Sequence, residues 1–257
     1  LTRRQAIVAG VLVLALLVPF GASVARAINV SWLPSGDDAL IGLRTRDVLS
    51  ANPPLVGQPS TSHLYGPDQG TSHPGPIEFY WLAVPLRVFG PSIGMIVGIL
   101  AVNLAAVAVA CWVVLRRAGP AVAAWAMVVA SFVLWSEGSA VLTDPISSNA
   151  GGIALLALAA LAWAVADGDV RLAPLGVLFA SWVAQQHLAI VAPAVALVAF
   201  GTVAVSASGA KHWWLGRTQP EAAPARARRW PWLLGAVVVG LEGHCHWTWA
   251  VPHRRHR

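Results

Sequence analysis

The chain has 257 residues, of which 57% are hydrophobic and only 11% charged, with a formal net charge of +6. A mean hydropathy of +0.65, carried by uncharged runs near bilayer length, excludes an ordinary soluble domain and indicates a polytopic membrane protein. The basic residues sit between apolar runs and read as topology signals, not as a nucleic-acid footprint.

Residues 6–25 form an uncharged run of twenty after Arg3 and Arg4, enough to cross a hydrocarbon core of about 30 Å at about 1.5 Å per residue. The basic pair puts its start in the cytoplasm. A cleaved leader is the competing reading, because Arg3-Arg4 and Ala25-Arg26-Ala27 look like a twin-arginine start and a small-residue cleavage site. The further spans downstream make an uncleaved anchor simpler. Residues 30–76, rich in Pro, Gly, Ser and Thr, exceed an ordinary connection and are expected outside as a functional loop. The stretch IEFYWLAVPLRVFG, 77–90, is too short to span and carries Glu78 and Arg87, which predicts a helix lying in the interface.

Residues 92–115 return inward and close on Arg116 and Arg117; 121–135 run outward to a second outer loop, 136–149; 150–166 come back to DGDVR. The apolar stretch 172–206 exceeds one span and divides into 172–186 and 188–206, meeting at the outer side near Gln185-Gln186-His187. With this path ten basic residues fall inside and four outside, while Asp37, Asp38, Asp47, Asp68, Glu78, Glu137 and Asp144 all fall outside. The expected fold is all-α: a polytopic transmembrane helix bundle over 1–240, with a long first extracytoplasmic loop and interfacial helices.

A partial span at 230–241 gives way to EGHCHWTWAVPHRRHR, where membrane patterning stops. Cys111 and Cys245 form no disulfide framework, and His244, Cys245 and His246 lack a second ligand pair at zinc spacing, so no metal site is assigned. The segment 241–257 reads as a truncated or frame-shifted tail.

Charge concentrates in SGDDALIGLRTRDV, 35–48. Ser35 and Asp38 stand at capping-box spacing, and acids in a first helical turn complement the dipole by about 0.3–1 kcal/mol each. Asp37, Ile41, Arg44 and Val48 recur at helical spacing, which puts a carboxylate and, two turns on, a guanidinium on one face. His73, in SHPGP, reads either as a turn residue or as a donor to a phosphate or an acceptor. Glu78 reads first as an acid at a helix start. Gln186 and His187, between apolar helices, are either packed hydrogen-bonding groups or part of a site.

GDDALIGLRTRDV, PPLVGQPST and SHPGPIEFYWLAVPLRVFG, followed by DGD at 167–169 and WVAQQHLAIVAP at 182–193, resemble the front of the bacterial integral-membrane glycosyltransferases. These belong to the C-type superfamily, which includes protein mannosyltransferases and actinobacterial arabinofuranosyltransferase-like proteins. The resemblance covers roughly 1–240 and implies transfer of a sugar from a polyprenyl-phosphate carrier to an envelope glycan, lipid or protein outside the cytoplasmic membrane. It implies Asp37 as the catalytic acid that orients or deprotonates the acceptor hydroxyl, and Arg44 or Arg46 as a guanidinium clamp on the lipid phosphate. Asp38, His73, Glu78, Gln186 and His187 complete the expected substrate-binding set. A divalent ion beside Asp37 is left open without being indicated, and the absence of a glycine-rich phosphate loop agrees with a lipid-linked donor. The segment LTDPISSN departs from the pattern, since such proteins often carry a tryptophan-asparagine-proline element there, and they usually have further spans beyond the basic loop. The alternatives from other classes are a transporter or flippase, in which Asp37 and His187 serve a pathway, and a non-catalytic remnant.

Overall fold

The computed structural model describes residues 3–59 and 72–218, with side chains as far as 208. The expected partial span 230–241 and the tail 241–257 lie outside the described residues. About 81% of the described residues are helical, and among them no strand forms; one antiparallel bridge joins Pro59 to Ser72. The helices are α1 (Arg3–Asn29), α2 (Asp37–Asp47), α3 (Ile77–Phe89), α4 (Pro91–Glu137), α5 (Ser147–Ala150), α6 (Gly152–Ala166), α7 (Ala173–Gln186) and α8 (Leu188–Thr218).

Among the described residues four stretches are long and apolar enough to cross a membrane: Arg3–Asn29, Pro91–Glu137, Ser147–Ala166 and Leu188–Ser208. The second contains two limbs, because Gly119 at φ 84° and ψ 177° breaks the helical geometry and Pro120 follows it. Glycine adopts that backbone without a Cβ penalty, and proline starts the next limb without an amide hydrogen to satisfy. The limbs are 91–118 and 120–137, and the stretches 92–115 and 121–135 read from the sequence as spans lie within them. α7, at 14 residues, falls short of the four, so the expected span 172–186 is a helix of about 21 Å.

Composition explains the layering. α6 is apolar all round and occupies the centre, burying Ile153, Ala154, Ala157, Leu158, Leu161, Ala162 and Ala164 against α4, α7 and α8. α1 buries one stripe, Leu16, Phe20, Ser23 and Ala27, and turns Val11 and Leu14 outward at about 60% exposure. That exposure suits a hydrocarbon environment, where no other element need cover it. α3 forms where expected and packs antiparallel along the start of α4: a Cβ on Gly94 would strike the backbone of Pro85 and Leu86, and Trp81 Nε1 donates to the Gly98 carbonyl at 2.8 Å.

The bundle has two chemically different ends, separated by α6, whose 15 residues span about 22 Å. At one end Arg116 meets Asp169 at 3.4 Å and Arg117 pairs with Asp167. At the other, Ser23 and Thr143 share a hydrogen bond of 2.9 Å, Gly75 N–H donates to the Gln185 carbonyl at 3.3 Å, and Trp182 Nε1 donates to the Ala150 carbonyl at 2.9 Å.

Candidate functional site

The second end is where the sequence-predicted residues gather, beginning with α2. Gly36, at φ 54°, is its N-cap and makes no side-chain cap bond. The capping box expected from Ser35 and Asp38 therefore does not form. The left-handed turn at Gly36 starts the helix one residue later than a serine cap needs, and the contact at that point is backbone to backbone, Asp38 N–H to the Ser35 carbonyl at 3.1 Å. With Asp37 first in the helix, the buried stripe is Asp38, Ile41, Gly42 and Thr45. Asp37 faces solvent, so the expected face joining it to Ile41 and Val48 is offset: those two are buried, whereas Asp37 is at the rim.

Asp38 is 8% exposed, with Oδ1 lacking a hydrogen-bond partner. Burial lifts its carboxyl from the usual 3.8 to about 6, helped by the charges of Asp144 and Asp37. Glu78, on the inner face of α3, is 4% exposed and has Oε1 unpartnered. Burial, then Asp144, then Asp38 push its carboxyl well above the ordinary range, opposed by the Ser147 hydroxyl. The surroundings of Glu78 therefore favour its uncharged form.

The third carboxyl, Asp144, belongs to LTDPISSN and was not among the expected site residues. Its Oδ1 accepts from Ile146 N–H and its Oδ2 from Asn149 Nδ2, both at 3.0 Å. This is an Asx turn that launches α5, the geometry for which Asp before a Pro-containing turn is suited. The Asp-Pro pair with Asn149 five residues on was the available sequence signal for the turn. Its electrostatic partnership with residues 38 and 78 had none. Ser147, in the same segment, donates to Gln58 Oε1 at 3.2 Å.

His73 lies beside the short bridge between α2 and α3: its N–H donates to the Gln58 carbonyl at 2.8 Å, and its carbonyl accepts from Gly57 N–H at 3.2 Å. The imidazole stands 4.9 Å from that of His187, centroid to centroid. Burial and then the His187 ring lower its pKa, while Asp37 acts in the opposite sense. His187 breaks the chain between α7 and α8 at φ −150°, and its Nδ1 accepts from Ala189 N–H at 3.1 Å. The ring proton of its neutral form consequently resides on Nε2.

Gln185 fastens the loop to α7, a role the sequence reading did not give it. Its Oε1 accepts from Ile77 N–H at 3.2 Å, and its Nε2 donates to Ser181 Oγ at 2.8 Å. Gly75 is required beside it, since any Cβ there would overlap the Gln185 side chain. Gln186 is 1% exposed with neither amide atom hydrogen-bonded. Leaving such a group unpaired typically costs about 1–3 kcal/mol.

Arg44 and Arg46 stay apart from this cluster, at the C-terminal end of α2. Arg44 is half-exposed and pairs with Asp47 at 3.7 Å, and the Arg46 carbonyl accepts from Arg87 at 2.9 Å. Two cavities adjoin the cluster. A polar cleft of about 130 Å³ is lined by Arg26, Trp32, Thr143 and Asp144. An apolar groove of about 650 Å³ runs between α7 and α8, with Pro74, Gln185 and Leu188 among its lining residues. Among the described residues no three His, Cys, Asp or Glu side chains come together in a metal-holding arrangement. Comparisons with family models, with characterised proteins and with solved structures give no match for this chain.

Proposed function

We propose that this chain is a membrane glycosyltransferase, or the amino-terminal part of one, which moves a sugar from a polyprenyl-phosphate donor to a hydroxyl acceptor outside the membrane. The observation that carries the reading is the convergence of three carboxyls, Asp38, Glu78 and Asp144, behind the exposed Asp37. Asp37 is the member of the group that an arriving acceptor can reach, and it is the catalytic acid of this proposal. The acceptor oxygen attacks the anomeric carbon, the bond from that carbon to the phosphate oxygen breaks, and the acceptor proton passes to Asp37 while the lipid phosphate leaves with the bonding pair. The polar cleft beside Asp144, with Trp32 and Arg26 in its wall, suits an acceptor that offers hydroxyls and an apolar sugar face. Two buried carboxyls raised by burial and by a neighbouring carboxylate, as Asp38 and Glu78 are, are an arrangement found where protons are handled.

The proposal includes an orientation: N-terminus in the cytoplasm, carboxyl cluster outside, with Arg116 and Arg117 inside. Transfer of labelled sugar from polyprenyl-phosphate donors in membranes containing the chain tests the chemistry. Asp37→Asn should remove transfer by at least about a hundredfold, the usual lower bound for a general base, at equal protein level. Transfer unchanged in that variant rejects Asp37 as the acid; transfer absent from both proteins rejects an active transferase.

A proton-coupled carrier is the second reading, favoured by Glu78, a buried carboxyl whose surroundings favour its uncharged form. A proton gradient across reconstituted vesicles that drives solute flux, abolished by Glu78→Gln, would support it.

A further inference from the structure

We infer that His73 and His187 form a pH-operated latch, which fastens residues 73–77 to the junction of α7 and α8 while both rings are neutral and releases them on acidification. The inference goes beyond the proposed reaction and does not depend on it.

The latch joins segments far apart in the chain. His73 belongs to the stretch leading into α3, and His187 is the break between α7 and α8. Their rings stand 4.9 Å apart, centroid to centroid, tilted by 39°. Two further contacts continue the seam: Gly75 N–H donates to the Gln185 carbonyl at 3.3 Å, and Ile77 N–H to Gln185 Oε1 at 3.2 Å. Residues 73–77 are thus held against the end of α7, and the seam finishes at the first turn of α3, which carries Glu78.

Each ring is seated in a way that suits its neutral form. His187 caps α8, its Nδ1 accepting from Ala189 N–H at 3.1 Å. A proton on that nitrogen removes the acceptor and sets a positive charge at a helix N-terminus, where the dipole opposes it. His73 Nδ1 is buried without a partner, so the imidazolium would carry an N–H there with nothing to receive it. Two charged rings side by side would also repel. The titratable groups that act on His73 are His187, from the α7–α8 junction, and Asp37, from α2. Burial and then His187 lower its pKa, and Asp37 opposes them. Once released, the ring recovers its ordinary value of 6.5, so the released form binds more protons than the seated one. Closure is therefore complete above pH 6.5 and is lost as pH falls below it. Asp38 and Glu78 work in the opposite sense, because acidification supplies the uncharged carboxyls that their surroundings favour.

The test is hydrogen–deuterium exchange at the Gly75 and Ile77 amides, in the full chain in phosphatidylcholine nanodiscs at about pH 8 and about pH 5, corrected for intrinsic exchange rates. Protection should fall about tenfold or more in acid, the effect of one pH unit of coupled proton binding, while the amides of α6 keep theirs. His187→Asn retains a side-chain acceptor for the cap but cannot titrate, so it should hold both amides protected at both pH values. His73→Gln, which leaves the α8 cap intact, should be equally insensitive. Asp38→Asn should lose protection in acid as the parent does. A parent with the same protection at both pH values overturns the latch, and so does an equal loss in the parent and the two histidine variants. A loss abolished by Asp38→Asn gives the sensing to a carboxyl and overturns the histidine pair, and a loss that extends to α6 overturns a local release. No substrate is present, so the outcome is independent of whether the chain transfers sugar.

Discussion

Asp38 is held in a place that favours its uncharged form, and this has a pH signature. Its folded value of about 6 lies above the ordinary 3.8, so between those values the folded chain binds more protons than the unfolded one. Its contribution to stability is complete below about pH 4 and is lost as pH rises through about 6. Asp38→Asn removes the titration, and thermal unfolding in detergent should show the variant gaining on the parent as pH rises from 4 to 7. An equal difference at both ends of that range would mean that Asp38 is not the group responsible. Glu78, whose carboxyl burial also raises, should accept Gln with little loss of melting temperature, since an uncharged amide of the same shape adds no buried charge; Glu78→Lys should prevent folding. The sequence made Asp37 and Asp38 visible as a charged pair but did not say which of the two turns inward. One glycine, Gly36 at φ 54°, moved the helix start, and no composition or periodicity specifies that turn.

Helices were the most legible level, because long apolar runs bounded by arginine, proline and glycine leave few alternatives. The pair 77–89 and 91–118 shows what the pattern could not supply. α3 and α4 approach so closely that a Cβ at Gly94 would lie 2.7 Å from the Leu86 amide nitrogen. Gly94→Ala should therefore destabilise by about 1–3 kcal/mol, the range for overpacking a tight contact, read as a lower midpoint of thermal or denaturant unfolding. Gly21→Ala, which meets nothing within 4 Å, is the matched control and should lose nothing. If both variants melt together with the parent, the α3–α4 contact is looser than drawn here. The same contact explains why the Glu78 carboxyl is turned inward: α3 is pinned along one face by Trp81 and Gly98, and Glu78, Phe79, Leu82 and Leu86 occupy the buried stripe.

For the whole molecule the decisive arrangement joins residues far apart in the chain. Asp38, Glu78 and Asp144 come from three segments, and nothing in any one of them signals the other two; α6 and the limbs of α4 bring them to one end. Arg116, Arg117, Asp167 and Asp169 occupy the other end. A bilayer of about 30 Å laid across the bundle would separate the two groups, and the proposed orientation, which follows the positive-inside tendency, puts the arginine end in the cytoplasm. Single cysteines test that assignment in a background where Cys111 and Cys245 are Ser. Ser50→Cys and Ser136→Cys are both at exposed positions and should react with a membrane-impermeant maleimide in intact cells. Arg171→Cys, exposed beside the Arg117–Asp167 pair in sequence, should react after permeabilisation. The reverse pattern would put the carboxyl cluster in the cytoplasm, where a nucleotide-linked sugar is the ordinary donor, and would remove the argument for a lipid-phosphate substrate along with the orientation. Labelling of all three positions from one side would go further: the separation of acidic and basic ends would no longer correspond to a membrane crossing.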